Sequence, residues 1–169
     1  MPANTETKVL DEERLNSFIG KVVQDFGASL SATLSYIGIK LGLYKALAEA
    51  GPLTSSELAK KTETVERYVR EWLINQAASG YIDYDPKSGR YHLPAEHAAA
   101  LTDEHSPFYI GGGFYVVKAM TLAGKRIAEA FKNGGGMLWS EHDPDLFLGT
   151  ERFLGPVMPL TLSANGFLP

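Results

Sequence analysis

The stretch from residue 53 to residue 93 constrains the fold more than any other part of this chain. Thr54 followed by Glu57 is a capping-box pattern, which predicts the start of a short helix. After a turn, the spacing of apolar residues predicts a longer helix over residues 65–79. Two alternating, aromatic-rich segments joined by Asp-Pro and Gly turn residues then predict a β-hairpin over residues 81–93.

Short helix, turn, long helix and hairpin in that order are the arrangement of a winged helix-turn-helix domain. The long helix is expected to turn a set of side chains toward the core, namely Tyr68, Val69, Trp72, Leu73, Gln76 and Ala77. Apolar residues with three-four spacing predict an amphipathic helix over residues 28–50. Gly38 and Gly42 lie one turn apart on it, a spacing that favours close approach of another helix.

The remaining segments also favour helices. An acidic first turn predicts a helix from residue 11 to about Phe26. Further helices are expected over residues 94–101, over residues 107–132, and from the Asp143-Pro144 cap to about Leu154, with Pro156 and Pro159 ending the last one. We therefore expect a mainly α fold, a winged helix-turn-helix with a small β-hairpin plus flanking long helices. Three domains are predicted: an N-terminal helical arm at 1–26, the winged helix-turn-helix dimerisation domain at 27–101, and a helical extension at 102–169.

Composition and charge narrow the class of protein. The chain has 169 residues and a formal net charge of -4. It has no cysteine, which excludes disulfides and thiolate metal sites. The polar N-terminus has no apolar signal core, and the most apolar stretch, residues 26–48, contains Lys40 and Lys45. We expect a cytoplasmic protein that does not enter a membrane.

The charge pattern argues against nucleic acid as a partner. Between residues 54 and 91, six basic side chains are balanced by six acidic ones. Glu66 and Glu71 lie on the helix that would enter the major groove, where a duplex binder needs cations to neutralise phosphates. A winged-helix DNA-binding transcriptional regulator nevertheless remains the alternative function, and a dimeric small-molecule-binding module is a third possibility.

Neither catalysis nor cofactor binding has a strong sequence signal. The glycine runs at 111–113 and 134–136 do not match a dinucleotide fingerprint and do not follow a strand. The histidines lack metal-ligand spacing, and no nucleophile elbow is present. His142, between Glu141 and Asp143 and near aromatic residues, is the best candidate for lining a pocket, although helix capping explains the same residues.

Several segments resemble a known family. They are Gly42-Leu-Tyr44-Lys-Ala-Leu47, Leu53-Thr-Ser-Ser-Glu57-Leu-Ala59, Val65-Glu-Arg-Tyr-Val-Arg-Glu-Trp72-Leu, Gly80-Tyr-Ile82, Trp139-Ser-Glu-His-Asp-Pro144 and Phe147-Leu-Gly-Thr-Glu-Arg-Phe153. In this order they are similar to the N-terminal winged-helix domain of bacterial class I S-adenosylmethionine-dependent methyltransferases.

The resemblance implies a function for a longer parent protein. It implies a homodimer whose N-terminal domain covers a small-molecule acceptor, while S-adenosylmethionine binds a following Rossmann-like catalytic domain that is missing here. We expect no catalytic, cofactor-binding or metal-binding residue in this chain, and no activity from it as a fragment. The candidate substrate-lid residues are Phe114, Tyr115, Trp139, His142 and Phe147.

Overall fold

The computed structural model describes residues 10–155, and the fold there is mainly α-helical with one two-stranded antiparallel sheet. The expected fold class is confirmed. The elements of the described residues are α1 Glu12–Lys40, α2 Leu43–Ala50, α3 Ser55–Lys61, α4 Glu66–Ala78, β1 Asp83–Asp85, β2 Arg90–His92, α5 Ala95–Leu101, α6 Gly112–Asn133, a 3-10 turn Trp139–Glu141 and α7 Pro144–Leu154. The prolines expected to end the last helix, Pro156 and Pro159, lie outside these residues.

The chain divides into two units, one up to Leu30 and one from Ser31 onward. The described part of the first unit is the N-terminal portion of α1. Asp11 caps it by accepting a hydrogen bond from the Arg14 amide at 3.0 Å, and Lys21 pairs with Asp25 one turn later at 2.8 Å. Its large apolar side chains are exposed, namely Leu15, Phe18, Ile19, Val23, Phe26 and Leu30. We call these six residues the α1 apolar stripe.

The predicted break between two helices near residue 27 is wrong. α1 runs without interruption through Gly27, and the chain turns instead at Gly42, whose φ of 70° is left-handed. A single glycine inside a helix costs only about 1 kcal/mol, whereas the left-handed conformation ends a helix outright. Leu30, near the start of the second helix predicted over residues 28–50, belongs to the exposed α1 apolar stripe.

The winged helix forms the core of the second unit. The predicted capping box is present, since Thr54 Oγ1 accepts from the Glu57 amide and Glu57 Oε2 accepts from the Thr54 amide. β1 and β2 pair with Tyr84 opposite Tyr91, and Leu53 adds a backbone bridge to Tyr91. The core contains buried residues of α2 to α5 and of the hairpin: Leu43, Tyr44, Ala46, Leu47, Leu58, Ala59, Val69, Trp72, Leu73, Ile82, Tyr91, Leu93 and Leu101.

Two details of this core differ from the sequence prediction. Tyr68 does not point inward, because its side chain is 73% exposed at the start of α4. Gly38 does allow a close approach, but from side chains of the same domain. A Cβ at Gly38 would lie 2.5 Å from the Trp72 ring, and the Trp72 indole N–H donates to the carbonyl of Leu34 at 2.8 Å. The glycine therefore makes room for a core tryptophan.

The helix expected from residue 107 begins later, at Gly112. The segment before it is a turn that buries Tyr109, whose ring lies against Gly111; a Cβ there would be 2.7 Å from the Tyr109 hydroxyl. Glycine at 111 favours this turn because a larger residue would displace the tyrosine. α6 then packs along α7, and this helix pair holds most of the candidate site residues.

Candidate functional site

Two glycines bring α6 and α7 unusually close together. A Cβ at Gly112 would lie 2.6 Å from the backbone nitrogen of Phe153 and 2.7 Å from the carbonyl oxygen of Gly149. A Cβ at Gly149 would in turn lie 2.6 Å from the Tyr115 Cβ. Distances this short leave no room for a side chain, so the two backbones are in direct contact. This closely packed helix pair carries Phe114, Tyr115 and Phe147.

Three of the five candidate lid residues lie together. The ring centroid of Trp139 is 5.6 Å from that of His142 and 5.1 Å from that of Phe147, both in edge-to-face geometry. The Trp139 side chain is 70% exposed. We call these three residues the aromatic cluster. It presents an apolar surface with one imidazole, a combination suited to contacting an aromatic or apolar molecule.

Local capping chemistry places this cluster. Asp143 caps α7 by accepting from the Asp145 amide at 2.9 Å, as the sequence predicted. Glu141 accepts from the Leu138 amide at 2.9 Å and pairs with Arg126 of α6 at 2.7 Å. The hydrogen bond from Arg126, with that from the Leu138 amide, lowers the pKa of Glu141 below its usual value. The turn that carries Trp139 is therefore attached to α6.

The other two candidate residues lie elsewhere. Tyr115 is buried, with its ring 4.9 Å from that of Tyr36 and its hydroxyl 3.4 Å from an Arg152 guanidinium nitrogen. Phe114 packs against the winged-helix core, 6.2 Å from the ring of Tyr81. The structure thus separates the five into a cluster of three around the exposed Trp139, a buried tyrosine and a residue at the edge of the core.

A part-buried ionic cluster joins α1, α6 and α7, and the sequence analysis did not identify it. Lys118 donates to both oxygens of Asp143 at 3.0 and 2.9 Å and to Asp145 at 2.9 Å. The Tyr36 hydroxyl also donates to Asp145, at 2.8 Å. Burial opposes ionisation of Asp145, but the hydrogen bonds from Lys118 and Tyr36 outweigh it and hold its pKa below the usual value. Only the Asp-Pro-Asp sequence hinted at this site, and helix capping already explained it.

Two ion pairs lie on the surface that would meet DNA. Glu66, in the first turn of α4, accepts a hydrogen bond from Ser55 at 2.7 Å and lies 3.8 Å from Arg70. On the hairpin, Arg90 makes a two-pronged ion pair with Glu57 at 2.8 and 2.9 Å. Two of the six basic side chains counted in this region are therefore already engaged with carboxylates.

The described part of the chain, residues 10–155, contains neither a metal-type cluster nor a membrane-spanning helix. No group of three or more histidine, aspartate or glutamate side chains in it has the arrangement of a metal site. None of its helices combines the length and apolarity needed to cross a bilayer.

Comparison with known structures shows where this fold recurs. The mitomycin 7-O-methyltransferase MmcR is 19% identical, with a TM-score of 0.68 over 90% of this chain and 47% of that one. Human N-acetylserotonin methyltransferase in complex with SAM is 17% identical, with a TM-score of 0.63 over 96% and 49%. CalO1, a methyltransferase of calicheamicin biosynthesis in its SAH-bound form, is 20% identical, with a TM-score of 0.65 over 95% and 50%.

This chain therefore spans about half the length of those methyltransferases and shares its fold with that half. No curated protein matches its sequence. The family model of the Rv2258c-like winged HTH domain matches residues 28–103, the segment that contains the core described above. The sequence of residues 28–103 is therefore similar to that of the Rv2258c-like winged HTH domain.

Proposed function

We propose that this chain is the N-terminal dimerisation and substrate-covering domain of a small-molecule S-adenosylmethionine-dependent methyltransferase of the cytoplasm. Its fold matches about half the length of several methyltransferases, two of which contain SAM or SAH in their structures. In this proposal the methyl donor binds a domain outside these 169 residues, and the aromatic cluster covers the acceptor. The chain alone is then inactive, and it pairs with a second copy of itself.

The α1 apolar stripe is the observation that carries the pairing. Phe18 and Phe26 are 63% and 64% exposed, and they lie two turns apart on the same side of α1. Burying a large apolar side chain fully contributes about 1.5–3 kcal/mol, so a stripe of six is a strong driving force for association. Exposed apolar surface of this extent is typical of an interface. A symmetric pair of α1 helices would cover both copies of the stripe.

Light scattering after size exclusion tests the pairing. The wild-type chain is expected to elute as a dimer, and the double variant Phe18→Glu/Phe26→Glu as a folded monomer, because each buried carboxylate would oppose association. The matched control is Ser17→Glu/Gln24→Glu, which adds the same charge two turns apart on the opposite side of the helix. A monomeric wild type, or equal dissociation of both variants, would refute the proposal.

The covering role is tested in the longer methyltransferase. Trp139→Ala is expected to raise the KM for the acceptor while leaving the affinity for S-adenosylmethionine unchanged. Phe131→Ala, which removes another highly exposed aromatic side chain of the same unit, is the control. Calorimetry on the 169-residue chain is expected to show no S-adenosylmethionine binding. Stoichiometric donor binding by this chain, or an unaltered acceptor KM in the Trp139 variant, would contradict the proposal.

A DNA-binding regulator is the second candidate, favoured by the helix-turn-helix itself. The pairs of Glu66 with Arg70 and of Glu57 with Arg90 weigh against it. A gel shift with mixed duplex DNA at low and at moderate salt separates the two. Our proposal expects no retained complex at moderate salt, whereas a specific complex there would favour the regulator.

A further inference from the structure

An apolar groove lies on the second unit, where the end of α1 and the start of α2 meet the start of α4. It has a volume of about 230 Å³ and is lined chiefly by Ile37, Leu41, Leu43, Val65, Tyr68 and Trp72. We call it the α4 groove. Leu43 and Trp72 belong to the buried core, whereas Leu41, Val65 and Tyr68 are exposed. A single copy of the chain therefore leaves apolar surface in contact with water here.

The chemistry of the α4 groove favours an apolar side chain as its occupant. Its volume is below the range of about 300–1,000 Å³ that is typical of small-molecule sites. Two of its polar side-chain groups are already engaged. The hydroxyl of Thr64, which also lines the groove, shares a 2.8 Å hydrogen bond with that of Thr62, and the Trp72 indole N–H donates to the Leu34 carbonyl. A polar ligand would therefore gain few hydrogen bonds in this groove.

The area that a stable dimer buries indicates that the α1 apolar stripe is not the whole interface. The six side chains of the stripe are on average a little more than half exposed, so they offer about 600 Å² per copy. Standard stable interfaces bury about 800 Å² per partner. Leu41, Val65 and Tyr68 of the groove add about 300 Å², which brings the total into that range.

The symmetry of the pair decides which part of the stripe reaches the groove. When the twofold axis crosses two paired helices at right angles, the helices are antiparallel, and the start of each lies beside the end of the other. Ile37 and Leu41 place the groove at the end of α1. A parallel pair would instead align equivalent ends and leave both grooves uncovered. The antiparallel pair therefore brings the start of the stripe, where Phe18 lies, to the groove of the second copy.

We infer that the α4 groove of each copy receives Phe18 of a second copy, so that the dimer contains two identical contacts of stripe with groove. The inference rests on the pairing proposed above, and it names the surface that the start of α1 meets. A phenyl ring packed against Leu41, Val65 and Tyr68 would remove apolar surface of both copies from water, which is the main favourable term in association.

Disulfide trapping between two differently substituted chains tests the contact, and it is selective because the wild-type chain has no cysteine. Phe18→Cys mixed with Val65→Cys under mild oxidation is expected to give a linked dimer with one chain of each kind. Ile74→Cys, at an exposed apolar position on the opposite side of α4, is the matched control. It should link to Phe18→Cys about tenfold less, because a disulfide requires Cα atoms within about 7 Å of each other.

A charge in the groove tests the same contact through affinity. Val65→Glu is expected to raise the dimer Kd about tenfold, because the carboxylate would be buried against Phe18 of the second copy. Ile74→Glu, which makes the same kind of change outside the groove, should leave the Kd unchanged. In a chain that carries Phe18→Glu, the further change Val65→Lys should strengthen pairing several-fold, because the two introduced charges attract each other.

The outcomes separate this inference from the pairing itself. A monomeric wild-type chain would refute both. A wild-type dimer without a link between Phe18→Cys and Val65→Cys would refute the groove contact alone, and so would equal dissociation of the Val65→Glu and Ile74→Glu variants. Val65 is exposed in the single chain, so its variants should keep the wild-type helix content by circular dichroism.

Discussion

At the scale of single residues, this fold depends on positions where a side chain is missing. Gly112 and Gly149 let two helix backbones touch, and Gly38 makes room for the Trp72 ring. None of the three has a positive φ. They are glycines because neighbouring atoms occupy the space of a Cβ, so helix propensity alone misjudges them.

Gly112→Ala is therefore expected to destabilise the chain by about 1–3 kcal/mol, the usual cost of forcing extra atoms into a packed contact. Gly124→Ala in the same helix is the control, because a Cβ there meets nothing within 4 Å. That change should be neutral or stabilising by up to about 1 kcal/mol, as glycine is a poor helix former. Urea unfolding measures both, and equal midpoints would contradict the account of the α6–α7 contact.

The buried hydroxyl of Tyr44 is the second residue on which the core depends. It donates to the side-chain oxygen of Gln76 and lies 3.3 Å from the Ser35 hydroxyl, and all three residues are buried. Burial raises the pKa of Tyr44, so the group stays a neutral donor. Buried polar side chains are tolerated here because they satisfy one another.

Tyr44→Phe should cost about 1–3 kcal/mol of unfolding free energy, since the Gln76 oxygen would lose its donor while it stays buried. Tyr68→Phe is the matched control, because the Tyr68 side chain is exposed and its hydroxyl makes no hydrogen bond within residues 10–155. Chemical denaturation of both variants provides the comparison. A Tyr44 variant as stable as the control would mean that water replaces the missing hydroxyl.

At the scale of elements, an ion pair attaches the hairpin to α3. Arg90 of β2 donates to both oxygens of Glu57 and to the carbonyl of Pro52. The backbone hydrogen bond from Thr54, followed by the side-chain hydrogen bond from Arg90, lowers the pKa of Glu57 from 4.5 to about 2. One carboxylate therefore caps α3 and holds the wing.

This depressed pKa predicts a pH dependence. The contribution of ionised Glu57 to stability is fully present above its unfolded pKa of 4.5, and it is lost as the pH falls toward about 2. Glu57→Gln should therefore lower stability at pH 7 and flatten the loss between pH 4.5 and 2. Glu71→Gln, which removes an exposed glutamate of α4, should keep the wild-type slope. Thermal melts of both variants across this pH range provide the measurement, and an unchanged slope in the Glu57 variant would disprove the assignment.

The ionic cluster around Lys118 joins three helices in the same way. Lys118 is the cation between Asp143 and Asp145, and the hydrogen bond with Asp145 is the largest cause that raises its pKa. The three side chains are no more than 26% exposed. Without the lysine, two part-buried carboxylates would face each other at the start of α7.

We expect Lys118→Gln to destabilise the chain by about 1–3 kcal/mol, because each carboxylate would lose a charged donor. The local effect should be larger, since hydrogen exchange of the α7 amides would accelerate more than that of α4. Lys125→Gln, about two turns further along α6, is the control. Equal exchange rates in the two variants would show that capping by Asp143 alone holds α7.

At the scale of the whole molecule, the apolar surfaces exceed what one copy can cover. The α1 apolar stripe and the exposed Trp139 ring lie on different units of the chain. In the proposed dimer the first surface meets a second copy, and the second surface faces an acceptor. Each surface therefore has its own test.

Association also predicts a dependence on concentration. If folding and pairing are linked, the melting temperature of the wild-type chain should rise with protein concentration, because mass action stabilises the paired state. The Phe18→Glu/Phe26→Glu variant should melt at the same temperature at every concentration. Differential scanning over a hundredfold range, about 1–100 μM, covers typical weak association. A wild-type melting temperature that does not move would contradict pairing.

What the sequence by itself determined was the order and type of the local elements. The Thr54 capping box, the Asp143 cap with its proline and the hairpin turn act over a few residues, so the local sequence is sufficient to predict them. The winged-helix fold followed from their order. Tertiary structure decided the rest, including the continuous α1 and the exposure of Tyr68. The Gly112–Gly149 contact and the Lys118 cluster join residues far apart in the chain. Such contacts depend on how helices pack, and local patterns along the sequence do not show which of several compatible faces meet.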